Sequence, residues 1–225
     1  MRHGLKVEGL VITSDNSAGI GEKEWDTVKA PDSLTAKFAA RVALLEQWAA
    51  GSEPSAILLH NFSGVSQWQR YIEGITEVFI EADLELPPIS GSSETNMETM
   101  QSGLAVTMIG KEKRKLAPAE SLSWFIYGVP LVGAEVLAHP QQLANLQLIK
   151  TALASGIIER VWPVGSKGIA AEISLLFGRP LEISAPLNMQ ASGGPSTCVL
   201  LGVKPAMAER AQKHFGKFFV EASVK

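Results

Sequence analysis

Apolar residues follow two spacings along the chain, and the two spacings alternate. Short apolar runs predict strands at residues 10–14, 56–60, 84–89, 102–110, 123–132, 158–164, 197–203 and 217–222. Helical spacing predicts helices after Pro31 and at residues 68–82, 143–153, 168–177 and 205–215. The first helix has Asp32 or Ser33 as N-cap candidates and Gly51 as a stop signal. Strands alternating with helices in both halves predict an α/β fold, as an α+β two-layer arrangement.

A charged run at residues 111–115 separates the two halves. It is too short for a nucleic-acid patch and contains Glu112, so a solvated linker is the better interpretation. The sequence therefore predicts two domains, residues 1–112 and residues 113–225.

Composition narrows the class of protein. The chain has 225 residues, of which 46% are hydrophobic and 19% charged, which is globular rather than disordered. The net charge of −3 does not mark the surface for nucleic acid or anionic lipid. The apolar runs are far shorter than the roughly 20 residues of a membrane span, and no signal-peptide core is present. The single Cys198 fits a reducing compartment. We expect a cytoplasmic protein with no nucleic-acid or membrane partner.

Two polar features in the first half have a chemical and a structural interpretation. Residues 15–23 follow a predicted strand, and the backbone around Gly19 and Gly21 suits a phosphate, with Lys23 to neutralise charge. The spacing is not that of a Walker A loop, and a plain turn is the alternative. Glu46 falls within the apolar stripe of the first helix, where a carboxylate needs a partner or a metal. Arg41 or Lys37 is the structural alternative for that partner.

Three other segments are richer in hydroxyls and glycine than a connector needs. Residues 90–97 have the side chains that bind a hard cation and phosphate oxygens, and a hydroxyl-rich turn that caps the next segment is an equally good interpretation. Residues 191–197 precede a buried strand and suit a simple loop. Residues 164–168 enter a helix, whose free amides favour an anion, although a cap at Ser166 explains the serine equally well.

The order of these segments resembles the aminoimidazole-ribonucleotide (AIR) synthase and thiamine-monophosphate kinase superfamily of ATP-binding proteins, the PurM-like superfamily. Four landmarks match in order: the strand ending in Asp15, the helix carrying Glu46 five residues before Gly51, residues 89–95 with Glu94, and residues 192–203. The patterns Gly-Ile-Gly-Glu-Lys and Gly-Ser-x-Glu-x-Asn-Met are similar to an AIR-synthase-related branch, some of whose members are α-ribazole kinases.

The resemblance implies an ATP- and Mg²⁺-dependent phosphoryl transfer to a small, nucleoside-like substrate. It implies a PurM-like amino-terminal domain that binds ATP and forms a homodimer through its sheet, followed by a carboxy-terminal α/β domain. The implied metal ligands are Asp15, Glu46 and Glu94. Phosphate contacts are implied for Asp15, Lys23 and the Gly19 and Gly21 backbone, with polar support from Asn96. Lys167, as a second catalytic lysine beside Lys23, and the Gly193–Gly194 turn would face the substrate or the terminal phosphate.

Departures from the family pattern keep two alternatives open. Only nine residues precede the first predicted strand, and Lys167 stands where the family carries an aspartate. Residues 195–198 replace the family's Glu-Asp-Tyr-Glu. One alternative is an AIR-synthase-like ATP-dependent cyclisation. The other is a degenerate paralogue that binds nucleotide without catalysis.

Overall fold

The computed structural model describes residues 4–224, so residues 1–3 and 225 of the predicted domains lie outside the described part. The described chain divides into two compact units, residues 4–113 and residues 114–224. The mixed α/β fold predicted from the sequence is confirmed. The assignment of the two units as an ATP-binding domain and a carboxy-terminal domain stays a prediction.

The first unit contains a five-stranded sheet and two long helices. Its strands are β1 (Leu5–Val7), β2 (Leu10–Ala18), β3 (Ile20–Gly21), β4 (Val28–Lys29), β5 (Ser52–Asn61), β6 (Ile89–Ser93) and β7 (Gly103–Glu112), and its helices are α1 (Asp32–Ala49) and α2 (Trp68–Glu81). The sheet order is β1-β2-β7-β5-β6, in which β5 and β6 are parallel and the other pairs antiparallel. Strands β3 and β4 form a separate parallel pair.

Helix α1 packs on strands β2, β7 and β5 and on α2. The buried residues of α1 include four alanines and three larger apolar side chains: Ala36, Ala39, Ala40, Ala43, Leu44, Leu45 and Trp48. Gln47 fixes the helix on the sheet, because its Nε2 donates to Val11 O at 3.0 Å and to Met108 O at 2.9 Å. Thr13 Oγ1 donates to Ala43 O at 2.8 Å, and since Thr13 follows Val11 on β2 whereas Ala43 precedes Gln47 on α1, the helix runs antiparallel to β2.

Helices α1 and α2 approach each other backbone to backbone at Gly74. A Cβ built on Gly74 would overlap Ser33 O and lie 2.9 Å from Lys37 N. Real Cβ atoms do not come this close to backbone atoms, so the crossing requires a glycine at this position.

Three local predictions for the first unit are wrong. The first strand continues from residue 14 to Ala18, because β2 pairs with β7 as far as Ala18 and Gly103. The strand predicted at residues 84–89 begins only at Ile89, because Pro87 and Pro88 have no amide to donate to a ladder. Neither predicted N-cap is used: Pro31 occupies the cap position, and its side chain makes no capping hydrogen bond.

The second unit contains a four-stranded antiparallel sheet, β12-β8-β11-β9, and a separate pair, β10-β13. Its strands are β8 (Ser123–Tyr127), β9 (Arg160–Pro163), β10 (Ile183–Ser184), β11 (Val199–Val203), β12 (Phe219–Glu221) and β13 (Ser223–Val224). Its helices are α3 (Ala134–Ala138), α4 (Leu146–Ala154), α5 (Gly168–Phe177) and α6 (Ala208–Phe215). The core includes Trp124, Trp162 and Cys198, so Cys198 is a buried thiol. Within residues 4–224, no helix is long and apolar enough to cross a membrane.

We predict that Gly74→Ala destabilises the protein, although alanine is the better helix former by about 1 kcal/mol. Overlap with Ser33 O should cost about 1–3 kcal/mol more than that gain, because helix α2 must move away from α1. Urea unfolding measures the free energy of unfolding. Glu73→Ala, at the neighbouring exposed position, is the control and should change it by less than about 0.5 kcal/mol. A G74A protein as stable as the control would show that the helices do not meet at Gly74.

Candidate functional site

The glycine-containing segment between β2 and α1 is held against the start of β7. Gly19 N donates to Ser102 O at 2.8 Å. A Cβ on Gly21 would overlap the Ser102 hydroxyl and lie 2.8 Å from Asp32 Oδ1. Gly21 is therefore explained by the close approach of two polar side chains to the backbone. We call residues 19–29 the Lys23 loop.

Two successive backbone amides of the Lys23 loop are bound by buried carboxylates. Glu22 N donates to Asp32 Oδ1 at 3.3 Å, and Lys23 N donates to Asp26 Oδ2 at 2.9 Å. Gly19 N donates to Ser102 O, so protein carboxylate and carbonyl oxygens already accept from all three of these amides. The structure favours the plain-turn interpretation of this segment over a backbone cradle for phosphate.

Asp32 is the first of these carboxylates and is completely buried. Its Oδ2 accepts from Arg70 Nε at 3.1 Å and from Arg70 Nη2 at 2.9 Å, and its backbone amide donates to Glu22 Oε1 at 3.1 Å. A buried carboxylate is stable only when charged or polar donors surround it, which Arg70 and Glu22 N provide. Asp32 thus ties the Lys23 loop to both helices, a role that helix-capping rules alone do not predict.

Asp26 is the second buried carboxylate. Its Oδ1 accepts from Ser102 N at 2.7 Å, and its Oδ2 accepts from Ser102 Oγ at 2.7 Å and from Lys23 N. Burial raises the pKa of Asp26, but the hydrogen bonds from Ser102 and Lys23 outweigh it, so the pKa lies below its usual value. Asp26 is therefore a fixed negative charge at neutral pH, three residues beyond Lys23.

The side chain of Lys23 reaches a second loop. Its Nζ donates to Thr99 O at 2.6 Å and to Thr99 Oγ1 at 2.7 Å, and Thr99 Oγ1 donates onward to Phe62 O at 2.8 Å. These bonds connect the Lys23 loop to the segments that follow β5 and β6. The predicted site lysine thus lies where three loops meet.

A cleft of about 340 Å³ opens at this meeting point. It is lined by Lys23, by residues 63–67, and by Glu94, Thr95, Met97 and Glu98. The parallel strands β5 and β6 both end here, at Asn61 and Ser93. Ligands of open sheets with parallel strands bind outside the carboxyl ends of those strands. The cleft is therefore our candidate functional site.

Glu94 lies at the wall of this cleft in a tight turn. Its Oε1 accepts from Asn96 N at 2.7 Å and from Met97 N at 3.1 Å. These backbone hydrogen bonds, that from Asn96 first, lower the pKa of Glu94. Glu94 thus closes its own turn, and the ligand roles expected of Glu94 and Asn96 both stay predictions.

The floor of the cleft is a polar network that the sequence did not indicate. Asn61 Nδ2 donates to Gly64 O at 2.7 Å and to Ser93 Oγ at 2.9 Å, and so joins the two strand ends. The Ser63 hydroxyl lies 2.6 Å from the Tyr71 hydroxyl and accepts from Gly103 N at 2.8 Å. Burial raises the pKa of Tyr71 to about 12, although the bond to Ser63 opposes the shift.

The three predicted metal ligands do not meet. Strand β2, with Asp15, is three strand spacings, about 14 Å, from β6, which Glu94 follows. Along the strands, Glu94 lies level with Leu104 of β7, because Glu94 N donates to Asn61 O and Asn61 pairs with Leu104. Glu46 lies near the other end of the sheet. Its neighbour Gln47 donates to Met108 O, and Met108 is four residues, or about 13 Å, beyond Leu104 on β7.

The prediction of one three-carboxylate metal site is therefore wrong. Within the described part of the chain, no three histidine, cysteine, aspartate or glutamate side chains are placed to hold a metal ion. Glu46 is only 2% exposed and Asp15 is half-buried in a strand, not in a loop. The physical reason is that helix α1 runs antiparallel to β2 and carries Glu46 away from the loops.

The remaining predicted residues lie in the second unit. Lys167 is exposed immediately before α5. Gly193 N donates to Gly165 O at 3.0 Å, which brings the glycine turn beside the turn that carries Lys167. Buried Glu172, which sequence reasoning missed, accepts from Gly165 N at 3.2 Å. The two segments are thus neighbours, while the roles of Lys167, Gly193 and Gly194 toward a ligand stay predictions.

No protein-family model matches the chain, and no curated protein matches it either. Solved structures do match, and they show that the chain shares its fold with thiamine monophosphate kinase, HypE and PurL. The superfamily resemblance predicted from the sequence is confirmed at the level of the fold.

Three of these structures illustrate the match. Thiamine monophosphate kinase from Aquifex aeolicus is 14% identical with a TM-score of 0.64, over 98% of this chain and 86% of that chain. Hydrogenase maturation protein HypE in complex with ATP is 11% identical with a TM-score of 0.63, over 98% and 78%. T. maritima PurL complexed with AMPPCP is 13% identical with a TM-score of 0.59, over 99% and 42%. None of them singles out the α-ribazole kinase branch.

We predict that Tyr71 makes the protein sensitive to alkali. Its pKa is raised from about 10 in the unfolded chain to about 12 in the folded protein. The stability that the neutral hydroxyl contributes is therefore complete below pH 10 and is lost as the pH rises toward 12. Urea unfolding from pH 8 to pH 11.5 should show a smaller loss for Tyr71→Phe than for the wild type. Equal losses in the two proteins would contradict the shifted pKa.

Proposed function

We propose that the protein binds ATP with Mg²⁺ in the cleft and transfers a phosphoryl group to a small, nucleoside-like acceptor. The observation that carries the proposal is that Lys23, Glu94 and Glu98 line one cleft at the carboxyl ends of β5 and β6. Support comes from the fold, which the chain shares with proteins solved in complex with ATP and with AMPPCP.

Lys23 supplies the positive charge that phosphate oxygens require. An ammonium group has three donor hydrogens, and Thr99 accepts two of them. The third remains to bind a phosphate oxygen at the wall of the cleft. No covalent nucleophile is needed, because phosphoryl transfer depends on positioning and on stabilisation of negative charge.

The oxygen donors of the cleft fit Mg²⁺ bound together with a nucleotide. Magnesium is commonly held by one or two carboxylates, with substrate phosphates and waters as its other ligands. Glu94 and Glu98 would provide the carboxylates, and Thr95 adds a hydroxyl to the same cleft. When bound, the ion would neutralise charge on the transferring phosphoryl group.

The acceptor is the least constrained part of the proposal. We propose α-ribazole as the first acceptor to test, because the resemblance to the AIR-synthase-related branch includes the Lys23 loop and the Glu94 turn. The same resemblance is the basis for proposing a homodimer, and the single Cys198 is the basis for proposing a cytoplasmic location.

A second candidate function is nucleotide binding without turnover. The dispersion of Asp15, Glu46 and Glu94 favours it, because a catalytic site that needs three carboxylates is not formed by the described residues. ADP formation from ATP in the presence of α-ribazole separates the two functions. Binding with no ADP formed under any acceptor tested would favour the non-catalytic candidate.

We predict that Lys23→Met weakens ATP binding about 10- to 100-fold. One hydrogen bond to a charged group contributes about 1.5–3 kcal/mol, and each 1.4 kcal/mol is a factor of ten in affinity. Isothermal titration of Mg-ATP measures the change. Lys113→Met is the control, because Lys113 is exposed beside Gly51, at the opposite end of β5 from the cleft. Unchanged affinity in K23M, or equal losses in both variants, would place the nucleotide elsewhere.

We also predict that Glu94→Gln removes most of the increase in ATP affinity that Mg²⁺ produces, whereas Glu46→Gln leaves it unchanged. Glutamine keeps an oxygen that can accept from Asn96 N and Met97 N, so the turn should survive while the charge is lost. Titrations of ATP with and without Mg²⁺ measure the difference. Loss of the Mg²⁺ effect in E46Q would restore Glu46 to the metal site.

A further inference from the structure

Asp26 lies outside the cleft but is bonded to the residue that gives the cleft its positive charge. The Asp26 side chain is 6% exposed, and its three donors are Ser102 N, Ser102 Oγ and Lys23 N. Asp26 N in turn donates to Lys23 O at 3.1 Å, so the carboxylate closes a tight turn around Lys23.

We propose that Asp26 is a positioning residue that acts through Lys23: it fixes the Lys23 backbone on Ser102 so that the ammonium group stays at the cleft. The nucleotide readout of this inference rests on the proposed function. The geometric part, which concerns where Lys23 Nζ is held, does not.

The bonds form one continuous chain across the three loops of the cleft. Ser102 donates to Asp26, Asp26 accepts from Lys23 N, Lys23 Nζ donates to Thr99, and Thr99 donates to Phe62 O. Each bond is between 2.7 and 2.9 Å. Removing the Asp26 charge breaks the link between the start of β7 and the Lys23 backbone, and we expect the bonds from Lys23 Nζ to Thr99 to loosen as a result.

The carboxylate cannot be replaced by an amide of the same shape. Both Asp26 oxygens accept hydrogen bonds, and asparagine has only one acceptor oxygen. The amide nitrogen of an asparagine would face either Ser102 N or the donors on the other side, which are Ser102 Oγ and Lys23 N. The surrounding backbone has little room to adjust, because Gly21 already packs on Ser102 without space for a Cβ.

The first test is a double-mutant cycle on ATP affinity. Asp26→Asn should weaken Mg-ATP binding about 10-fold, the lower range for residues that orient a ligand-binding group. When Lys23 is already methionine, Asp26→Asn should weaken Mg-ATP binding by less than about a further 2-fold, because the ammonium group on which Asp26 acts is gone. Glu24→Gln, which removes an exposed carboxylate from the same loop, is the control and should bind as the wild type.

Ser102→Ala gives a milder second variant. It removes only the hydroxyl donor and keeps the bond from Ser102 N to Asp26, so we expect a loss of affinity smaller than that of D26N. If D26N does not fold, the double-mutant cycle is measured with S102A, K23M and the double variant that combines them. Additive losses in the cycle, or unchanged affinity in folded D26N, would overturn the proposal.

The second test needs no nucleotide. Brief reaction with acetic anhydride, followed by peptide mass spectrometry, measures how fast each lysine is acetylated. Lys23 should react more slowly than exposed Lys113 in the wild type and in E24Q, and at least about 3-fold faster in D26N once its bonds to Thr99 loosen. Equal Lys23 rates in folded D26N and wild type would overturn the positioning role. Failure of the wild type to bind ATP would instead overturn the proposed function alone.

Discussion

The burial of two carboxylates beneath one loop is the constraint on which the candidate site depends. Asp26 and Asp32 lose their hydration on folding, and only a complete set of donors compensates that loss. The donors are the amides of Glu22 and Lys23, Ser102 and the Arg70 guanidinium. Because moving the loop would leave a buried charge without donors, Lys23 is held in one place. The position of the cleft follows from this arrangement together with the ends of β5 and β6.

The same constraint changes the interpretation of the glycines. In a loop that binds phosphate through its backbone, glycine keeps amides accessible to the anion. Here the amides of Gly19, Glu22 and Lys23 are bonded within the protein, and Gly21 allows Ser102 and Asp32 to pack on the backbone. Recognition of phosphate in the cleft would therefore depend on the Lys23 side chain and on carboxylates that hold a cation. The nucleotide itself would have to complete the coordination of that cation, since the described carboxylates do not form a closed metal site.

The sequence was informative about the site where a signal is local. The segment around Lys23 and the turn around Glu94 each follow a strand, and both line the cleft. Asp26, Asp32 and Ser102 were missed because their significance lies in pairing over long sequence separations; Asp26 and Ser102 are 76 residues apart. Glu46 was misplaced for the opposite reason. Its position on the helix was correct, but helix spacing does not reveal which end of the sheet that part of the helix covers.

The fold shows the same division. The sequence by itself determined where helices α1, α2 and α5 lie, because helix spacing depends on residues three and four positions apart. It also determined that strands and helices alternate. Only the tertiary structure decided the sheet order β1-β2-β7-β5-β6 and the extension of β2 to Ala18. Backbone pairing between distant segments sets these features. Every strand offers the same backbone donors and acceptors, so the residues of one strand do not specify which strand it pairs with.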